Sequence, residues 1–387
     1  MEYISLKLAF CLFKYFPYGG LQRDFIRIAR ACKDRGHEIH VYTMRWDGEP
    51  EPDFHVHLVK VKAWQNHVRR LSFAKKVKLL LDAEKYDLVI GFNKMPYLDI
   101  YYAADVCYQA RAREKRNSLY RLLPRYRQQV AFEEAVFAQT NPVEIMVISP
   151  NQQTVYMQYY HTEPERFHMM PPGIDKNRIA PPNAMEIRAS LRKTYHLSDD
   201  HQLLLMVGSG FKTKGVDRTI KALSALPTEL KAQCRLFVIG QDDPSRFLRL
   251  AKKKGVEEQV FFLGGRPDVR DFMLAADLLV HPAYHENTGT VLLEAMVSGL
   301  PVLTVAACGY AHYITDANAG QVLPAPYQQH AFNEMLKKML SSPDMVVWKQ
   351  NGLDFSQSAD IYSMPEKAAH LIEQIGQKHA SALTSRR

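Results

Sequence analysis

The sequence predicts an α/β protein of two Rossmann-like domains, because two successive cycles of strand-like and helix-like patterns run along the chain. In the first cycle, an apolar run at 6–13 is followed by a turn at 17–20, by apolar residues at helical spacing from Phe25 to Cys32, and by a second apolar run at 39–43. A strand, a helix and a strand in this order build a parallel sheet. Further strands are predicted at 87–92 and 145–149, and the turn Pro171-Pro172-Gly173 ends the domain.

The second cycle repeats the alternation of predicted strands and helices. Strands are predicted at 203–207, 236–239, 260–263, 278–281 and 301–304, with helices at 216–226, 246–254 and 291–297. We therefore predict an N-terminal domain over residues 1–172 and a C-terminal domain over residues 173–364. The last helix, over about residues 365–387, can pack back on the first domain.

The formal net charge of +9 favours an anionic partner: a nucleic acid, a phosphate-bearing substrate or an acidic lipid surface. The five cysteines are scattered and form no Cys-x-x-Cys pair, so they indicate neither a disulfide framework nor a zinc site. A reducing cytoplasm fits them best. No stretch approaches the roughly 20 apolar residues of a spanning helix, so any membrane contact is expected to be peripheral.

The segment from His281 to Met296 places a loop and a helix start directly after a predicted strand. The N-terminus of that helix offers unpaired backbone N–H groups and a partial positive charge, which suit a diphosphate at the carboxyl end of a parallel strand. Gly289 lets a phosphate approach closely. Glu286 before the helix and Glu294 within it are placed to bracket a nucleotide sugar.

Each glutamate also has a simpler interpretation. Glu286 can be a solvated loop acid. Glu294 lies among apolar residues from Val291 to Met296, so it is expected to be partly buried and to need a polar partner. That partner is either a ligand hydroxyl or a structural arginine. The two glutamates together, in this setting, favour a binding function.

Two glycine turns that follow predicted strands offer further phosphate contacts. In the turn at 208–215, Lys214 can reach an anion, but the turn matches neither the dinucleotide-binding nor the P-loop pattern and is equally compatible with an exposed basic loop. Gly19 and Gly20 open a helix, where they either present amides to phosphates or simply form a tight turn. Asp24 is predicted in the first turn of that helix, where the helix dipole favours an acid with or without a ligand.

The segment from Tyr108 to Arg127 combines basic residues with aromatic and aliphatic ones. This composition is typical of a surface whose basic groups meet lipid phosphates while apolar groups such as Leu122 and Leu123 enter the interface. A solvated helix packed on its own domain and a nucleic-acid site are the alternatives. The residues predicted to contact a membrane are Arg111, Arg113, Lys115, Arg116, Tyr120, Arg121, Arg125, Tyr126 and Arg127.

Five motifs carry a resemblance to a known family: residues 10–24, Gly91-Phe92-Asn93-Lys94-Met95-Pro96, Ala103-Ala104-Asp105-Val106-Cys107-Tyr108, Lys214-Gly215-Val216-Asp217-Arg218, and the Glu-x7-Glu pair of Glu286 and Glu294. Together they resemble the lipopolysaccharide core glucosyltransferases I of Gram-negative bacteria, from Leu8 to about Lys367. The Glu-x7-Glu pair is shared by the wider retaining GT4 family. The first-domain motifs are specific to the narrower group.

The resemblance implies a GT-B fold, in which two Rossmann-like domains face each other across a cleft. It implies transfer of α-glucose, with retention, from UDP-glucose to an inner-core heptose of the lipid A-linked oligosaccharide. The expected catalytic residues are Glu286 near the reacting face of the glucose, Asp105 beside the acceptor hydroxyl, and Lys214 at the diphosphate. The expected donor-binding residues are Gly19, Gly20, Asp24, Arg178, Ser209, Lys214, Arg266 and Pro267 at the uracil, Asn287, Thr288, Gly289, Thr290, and Glu294 at the ribose.

Two positions depart from the family pattern. Ser209 stands where many GT4 enzymes have an arginine, so Lys212, Arg178 or Arg23 is expected to balance the phosphate charge instead. Asn287 stands where glycine is common, which leaves the donor hexose open to UDP-galactose or UDP-GlcNAc. No metal and no cofactor are expected, because the chain has no Asp-x-Asp triplet to hold a divalent ion on a diphosphate.

The expected partners are a UDP-sugar, a lipopolysaccharide inner-core acceptor and an anionic inner-membrane surface, with no nucleic acid. The expected location is the cytoplasm, on the inner face of that membrane. The rival interpretation from another class is a non-catalytic, basic binder of nucleic acid or of an anionic surface, which the segment 108–127 supports. Slow release of UDP from UDP-glucose favours the enzyme, whereas salt-dependent DNA binding without turnover favours the binder.

Overall fold

The alternating strand and helix patterns form two separate parallel sheets in the computed structural model, which describes residues 5–17 and 19–384. Unit 1 runs to Gly173 and resumes at Tyr362, and unit 2 comprises Ile174–Ile361. Each unit has its own sheet with helices around it, so the predicted α/β class is confirmed. Tyr18 of the first glycine turn and residues 385–387 of the predicted last helix lie outside the described residues.

Unit 1 is built on a parallel sheet with the strand order β3-β2-β1-β4-β5-β6-β7. Its strands are β1 Lys7–Cys11, β2 Glu38–Thr43, β3 Phe54–Leu58, β4 Leu88–Gly91, β5 Ile100–Ala103, β6 Glu144–Val147 and β7 Phe167–Met169. Its helices are α1 Gly20–Asp34, α2 Asn66–Ala83, α3 Tyr108–Lys115, α4 Pro124–Phe137, α5 Pro150–Tyr160 and, after unit 2 in the sequence, α16 Met364–Thr384.

Unit 2 is built on a second parallel sheet with the order β10-β9-β8-β11-β12-β13. Its strands are β8 Gln202–Val207, β9 Cys234–Ile239, β10 Val260–Phe262, β11 Leu278–His281, β12 Val302–Val305 and β13 Gly320–Leu323. Its helices are α6 Ala184–Thr194, α7 Phe211–Lys214, α8 Val216–Ser224, α9 Thr228–Gln233, α10 Ser245–Lys253, α11 Val269–Ala275, α12 Thr290–Val297, α13 Ala311–Asp316, α14 Gln329–Leu340 and α15 Met345–Ser358.

The core of unit 1 is assembled from segments on both sides of unit 2 in the sequence. Phe25 and Ile28 of α1 and Ala368 and Ile372 of α16 are fully buried in one cluster with the apolar residues of β1, β2 and β4. Both helices carry apolar residues at three- and four-residue spacing, which places those side chains on one face. The last helix therefore completes the hydrophobic core of unit 1.

The five cysteines are free and buried. Burial raises the pKa of Cys11 and of Cys107 to about 12, which keeps both thiols protonated at neutral pH. Cys11 acts as a small apolar residue of the core, whereas the sulfur of Cys107 also accepts from Ala110 N at 3.5 Å at the start of α3.

Candidate functional site

The strand order of unit 2 reverses between β8 and β11, because the chain proceeds from β8 to β9 and β10 on one side and from β11 to β12 and β13 on the other. In parallel α/β sheets, ligands bind outside the carboxyl ends of the strands at this switch point. The segment between β8 and α8, which contains the short helix α7, carries Lys214, and the loop after β11 carries Glu286. Two of the predicted catalytic residues therefore flank the switch point.

Lys214 and Glu286 form an ion pair in which the ammonium group of Lys214 donates to Glu286 Oε2. His281, the last residue of β11, is fully buried, and its Nε2 lies 3.4 Å from the same oxygen. The Glu286 side chain is 15 % exposed and that of Lys214 is 23 % exposed. The pair is thus shielded from bulk water but still reachable.

The pKa of Glu286 reflects these neighbours. Burial alone raises the pKa of a carboxyl, but the hydrogen bond from His281 and the charge of Lys214 outweigh burial and lower the pKa of Glu286 to about 2. Burial lowers the pKa of His281, while its contacts with Cys308 and Glu286 raise it, and the net direction is upward. Glu286 is therefore a carboxylate throughout the neutral range, and Lys214 is held beside it.

Gly215 brings the two loops into direct contact. Its φ of +81° is in the left-handed region, which favours glycine, and a Cβ at this position would lie 2.1 Å from the carbonyl oxygen of Pro282. Next to it, the Tyr284 amide donates to Thr213 O at 2.8 Å. The Lys214 loop can approach the Glu286 loop this closely only because residue 215 has no side chain.

A cluster of five side chains beneath these loops holds them together. The Arg218 guanidinium lies between the rings of Tyr284 and Tyr327, 3.6 Å from each ring centre, and donates to the carbonyl oxygens of Pro282 and Ala283. The buried Asp217 accepts from the Tyr284 hydroxyl at 2.8 Å and from Lys212 at 2.9 Å. We call Lys212, Asp217, Arg218, Tyr284 and Tyr327 the Arg218 cluster. Lys212, one of the three cations expected to replace the family arginine, is therefore already paired with Asp217.

Helix α12 begins at Thr290 and follows Gly289, which has a φ of +86°. The loop before it is fastened to the loop after β12, since Gly309 N donates to Glu286 O at 3.2 Å and Tyr310 N donates to Thr288 O at 2.7 Å. The amides at the start of α12 are thereby held at the carboxyl edge of the sheet. Asn287, Thr288 and Thr290 lie in this segment and are partly exposed.

Glu294 is buried within α12, with 7 % of its surface exposed, as its apolar neighbours predicted. The hydroxyl of Ser298 donates to Glu294 O at 2.8 Å and to Arg178 O at 2.9 Å, which ties the segment of Arg178 to the end of α12. The Nε atom of Arg178 is buried and has no hydrogen-bond partner among the described residues. A buried guanidinium donor of this kind suits an anion.

The remaining predicted donor residues of unit 2 lie on neighbouring loops at the same edge. Ser209 is exposed, and its hydroxyl accepts from Gln241 N at 3.0 Å, which joins the loops after β8 and β9. Arg266 forms a two-point ion pair with Asp268, with distances of 2.8 and 2.6 Å, and lines a surface hollow of about 430 Å³ beside Tyr195. Pro267 is exposed next to it. Arg266 therefore neighbours α6 and α11, while Lys214 and Glu286 lie at the switch point.

In unit 1, the strand order reverses between β1 and β4, and Gly19 and Gly20 stand at the start of α1 after β1. Across the switch point, the Phe13 amide donates to Asn93 Oδ1 at 2.7 Å. The placement of Asp24 in the first helical turn is wrong, because α1 starts at Gly20 and Asp24 is its fifth residue. Its carboxylate accepts instead from the Tyr102 hydroxyl at 2.9 Å.

Asp105 is exposed just beyond the carboxyl end of β5, and a buried ion pair holds the backbone of the residues that follow it. Glu133 has no exposed surface and accepts from Lys94 Nζ at 2.5 Å, from the amides of Tyr108 and Gln109, and from the Tyr160 hydroxyl. The hydroxyl of Tyr156 donates to Asp105 O at 2.9 Å. Helix α3 therefore starts from a fixed point directly after Asp105.

The basic segment forms α3, a 3-10 turn at Ser118–Leu122 and the start of α4. Most of its basic residues are exposed: Arg111, Arg113, Lys115, Arg116, Arg121, Arg125 and Arg127. The prediction that Tyr126 faces a membrane is wrong, because Tyr126 is buried in a small cluster with Ala112 and Val130, on which the half-buried Tyr120 packs. Leu119, Leu122 and Leu123 are the exposed apolar residues of this surface. Within the described part of the chain, no helix is both long and apolar enough to cross a bilayer.

Sequence reasoning missed three contributors to these sites: His281, the Arg218 cluster and Glu133. A histidine as the last residue of a fully apolar strand, five residues before Glu286, is a usable signal for the first. In the sequence, Asp217 and Arg218 stand out only as part of a motif, and their contact with Tyr284 forms only where the two segments meet in the fold. Nothing in the sequence around Glu133 distinguishes it from Glu134 next to it.

Comparison with known proteins agrees with this architecture. The family model "Glycosyltransferase Family 4" matches residues 18–178, and the model "Glycosyl transferases group 1" matches residues 188–354. The crystal structure of Anabaena HepE in complex with UDP-glucose has the same fold, with a TM-score of 0.70, 20 % identity and coverage of 98 % of this chain and all of that one. The two parallel-sheet units are those of a GT-B glycosyltransferase.

Two similarities are much closer. The chain is 48 % identical over 366 residues to the lipopolysaccharide glucosyltransferase WaaG of Escherichia coli K12, covering 94 % of this chain and 98 % of the relative. The crystal structure of WaaG, a glycosyltransferase involved in lipopolysaccharide biosynthesis, superimposes with a TM-score of 0.90 at 47 % identity and covers 94 % of this chain and 99 % of that one. This chain belongs to the lipopolysaccharide glucosyltransferase group of family 4.

Proposed function

We propose that the enzyme transfers glucose from UDP-glucose, with retention, to an inner-core heptose of lipopolysaccharide. The similarity along nearly the whole chain to a lipopolysaccharide glucosyltransferase supports the sugar and the acceptor class. The observation that carries the chemistry is the Lys214–Glu286 pair at the switch point of unit 2. A cation and a carboxylate there match the opposite charges of a diphosphate leaving group and an oxocarbenium-like sugar.

In this proposal, Lys214 turns from Glu286 to the diphosphate when the donor binds. The amides at the start of α12 add hydrogen-bond donors for the same group. Arg178 supplies a second positive charge, because position 209, an arginine in many family members, is a serine in this chain. Glu286, with its pKa of about 2, stays ionised and stabilises the positive charge that grows on the glucose ring. These groups are fixed before the reaction, so they favour the transition state over the bound substrate.

The transfer step breaks the bond between the anomeric carbon and the phosphate oxygen, and UDP leaves with the electron pair. The acceptor oxygen forms the new bond on the same face of the ring, and its proton passes to the departing phosphate oxygen. Asp105 orients the acceptor hydroxyl. The proposal needs no divalent ion and no cofactor, because Lys214, Arg178 and the α12 amides neutralise the charge of the leaving diphosphate.

A donor screen tests the proposal. Purified enzyme is mixed with truncated lipopolysaccharide and with UDP-glucose, UDP-galactose or UDP-GlcNAc, and both UDP release and sugar incorporation are measured. We expect incorporation from UDP-glucose, loss of it in Glu286→Gln, and a wild-type rate in the surface control Glu258→Gln. Preferred use of another hexose donor, or a full rate in Glu286→Gln, would contradict the proposed donor or the proposed role of Glu286.

We also propose that the enzyme attaches to the cytoplasmic face of the inner membrane through the basic segment of unit 1. Exposed arginines beside Leu119, Leu122 and Leu123 combine charge with apolar surface, as anionic bilayers require. In a sedimentation assay at low salt, the wild-type enzyme should pellet with liposomes that contain anionic lipid, whereas the Arg121→Gln/Arg127→Gln variant should stay in the supernatant. The control Arg246→Gln/Arg249→Gln removes the same charge from α10 of unit 2. Equal sedimentation of the two variants, or retention on DNA instead of liposomes, would speak against this attachment.

A further inference from the structure

Three histidines and a glutamate gather on the two outermost strands at one edge of the unit 1 sheet. His40 on β2 stacks on its register partner His55 on β3, with ring centres 4.7 Å apart, and on His57, with ring centres 5.2 Å apart. Glu38 Oε1 lies 2.6 Å from His40 Nε2, and His57 Nε2 lies 2.9 Å from His40 Nδ1. Glu38, His40 and His55 each offer one ligand atom, and these three atoms all lie within 4.8 Å of one another.

The position of this group in the fold leaves it open to solvent on one side. Ile39 and Val41 of β2 enter the core with α1 and α16, while Glu38 and His40 alternate with them and point to the opposite side of the sheet. His40 is buried, whereas Glu38 and His55 are exposed. β3 is the edge strand, and the group lies toward the starts of β2 and β3, away from the carboxyl edge that carries Gly19 and Asp105.

We propose that Glu38, His40 and His55 bind one divalent transition-metal ion of the zinc class, with His57 next to it. Two imidazoles and one carboxylate are the ligand set that zinc and its neighbours in the first transition series prefer, whereas magnesium and calcium select oxygen ligands. Zinc binds such ligands at about 2.0–2.2 Å, which places tetrahedral ligands roughly 3.3 Å apart. Since no two of the ligand atoms are more than 4.8 Å apart, the widest pair must close by at most about 1.5 Å, which rotation of the exposed Glu38 and His55 side chains accomplishes.

The charges around the group are compatible with a cation. Lys7 is paired with Glu84 at 2.9 Å. Two tyrosines also border the group: the Tyr86 hydroxyl lies 3.2 Å from His40 Nδ1, and the Tyr42 ring stacks on His57 with ring centres 4.6 Å apart.

A metal ion bound here would link β3 to β2 in addition to the backbone hydrogen bonds between the two strands. Exposed edge strands are open to pairing with other chains, and an ion that binds only the folded state stabilises it by mass action. Within unit 1, the site lies at the opposite end of the sheet from Gly19 and Asp105. Its expected effect is therefore on the stability of unit 1 and not on the chemistry of transfer.

The test uses the full chain without a histidine tag, first treated with a chelator. Zn²⁺ binding is measured by calorimetry, and Co²⁺ binding is measured by its visible absorption, which reports coordination by nitrogen ligands. We expect one equivalent of tight binding and a rise in melting temperature with Zn²⁺. In His55→Ala and Glu38→Gln the affinity should fall at least tenfold, because each variant removes one of three protein ligands.

The matched control is His370→Ala, which removes an exposed histidine that also lies beside a glutamate, on α16. It should bind Zn²⁺ as the wild type does. Because Glu38 and His55 are both exposed, at least one of the two variants is expected to fold normally, which circular dichroism verifies. Wild-type protein that binds no stoichiometric metal, or variants at positions 38 and 55 that bind as tightly as the control, would overturn the proposal.

Discussion

Each unit contains a lysine–glutamate pair that is largely shielded from solvent, and these two pairs differ in how completely their hydrogen bonds are satisfied. In unit 1, Glu133 has no exposed surface, and besides Lys94 its carboxylate accepts from the Tyr108 amide at Oε1 and from the Gln109 amide and the Tyr160 hydroxyl at Oε2. In unit 2, Glu286 accepts from Lys214 and His281 and keeps part of its surface exposed. A fully satisfied buried pair fixes the backbone around it, whereas a pair with few partners can exchange one of them for a ligand. The same two residue types therefore serve structure in one unit and, in our proposal, chemistry in the other.

The largest effect is expected from Glu133→Ala, which leaves Lys94 and two backbone amides without their acceptor. Loss of one member of a buried ion pair costs about 3–5 kcal/mol. Urea unfolding should show this loss, and the neighbouring Glu134→Ala, whose side chain is exposed, should change stability by less than about 0.5 kcal/mol. Similar stability of the two variants would mean that the unit 1 pair is not structural.

A slightly smaller effect, on rate instead of stability, is expected from Lys214→Ala. Removal of one preorganised donor from a developing oxyanion lowers turnover by about 10²–10³-fold. The melting temperature should stay close to that of the wild type, since Lys214 is partly exposed and Glu286 keeps His281 as a partner. Lys212→Ala is the control, because Lys212 is occupied by Asp217 and should leave turnover within about tenfold of the wild type. If Lys212→Ala lowered turnover more than Lys214→Ala does, the diphosphate contact would be assigned to Lys212 instead.

Tyr284→Phe tests the Arg218 cluster that supports the unit 2 pair. The ring still covers the Arg218 guanidinium, but the hydroxyl that bonds Asp217 and Lys212 is lost, which costs about 1 kcal/mol of unfolding free energy. Tyr327→Phe is the matched control, because the buried hydroxyl of Tyr327 has no hydrogen-bond partner among the described residues. That substitution should be neutral or slightly stabilising. Equal losses in the two variants would show that the hydroxyl of Tyr284 contributes nothing.

The smallest effect is expected from a change to acid pH. The pKa of Glu286 is about 2 in the folded chain and near 4.5 when it is unperturbed, so its contribution to stability is complete above pH 4.5 and declines as the pH falls toward 2. The difference in unfolding free energy between wild type and Glu286→Gln should thus shrink as the pH falls from about 4.5 toward 2. A difference that stays constant over this acid range would contradict the lowered pKa of Glu286.

Much of the fold could be predicted because the central strands are fully buried and read as continuous apolar runs. β11 was predicted with its observed limits, and β8 and β12 within one residue. The strands β3, β5, β7 and β13 were not predicted. β3 is too polar, with His55 and His57 among its five residues, and β5, β7 and β13 have only three or four residues each, too few for periodicity to distinguish them from a helix segment.

The candidate site was predictable where one segment carries several functional groups and not where distant segments meet. The loop and helix start at 286–294 combine glutamates, a glycine and a helix N-terminus within nine residues. His281 and Arg218 acquire their roles only when β8 and β11 lie side by side, which no local pattern specifies. The clustering of Glu38, His40 and His55 depends in the same way on the register between β2 and β3.

The interrupted composition of unit 1 has a consequence for how the polypeptide is made. Phe25 and Ile28 pack against Ala368 and Ile372, which the ribosome adds only after the entire second unit has been synthesised. During translation, the N-terminal part of unit 1 keeps this apolar surface uncovered until α16 has been synthesised, whereas the whole of unit 2 is synthesised before α16. We therefore expect unit 2 to complete its fold before unit 1, although synthesis begins with unit 1.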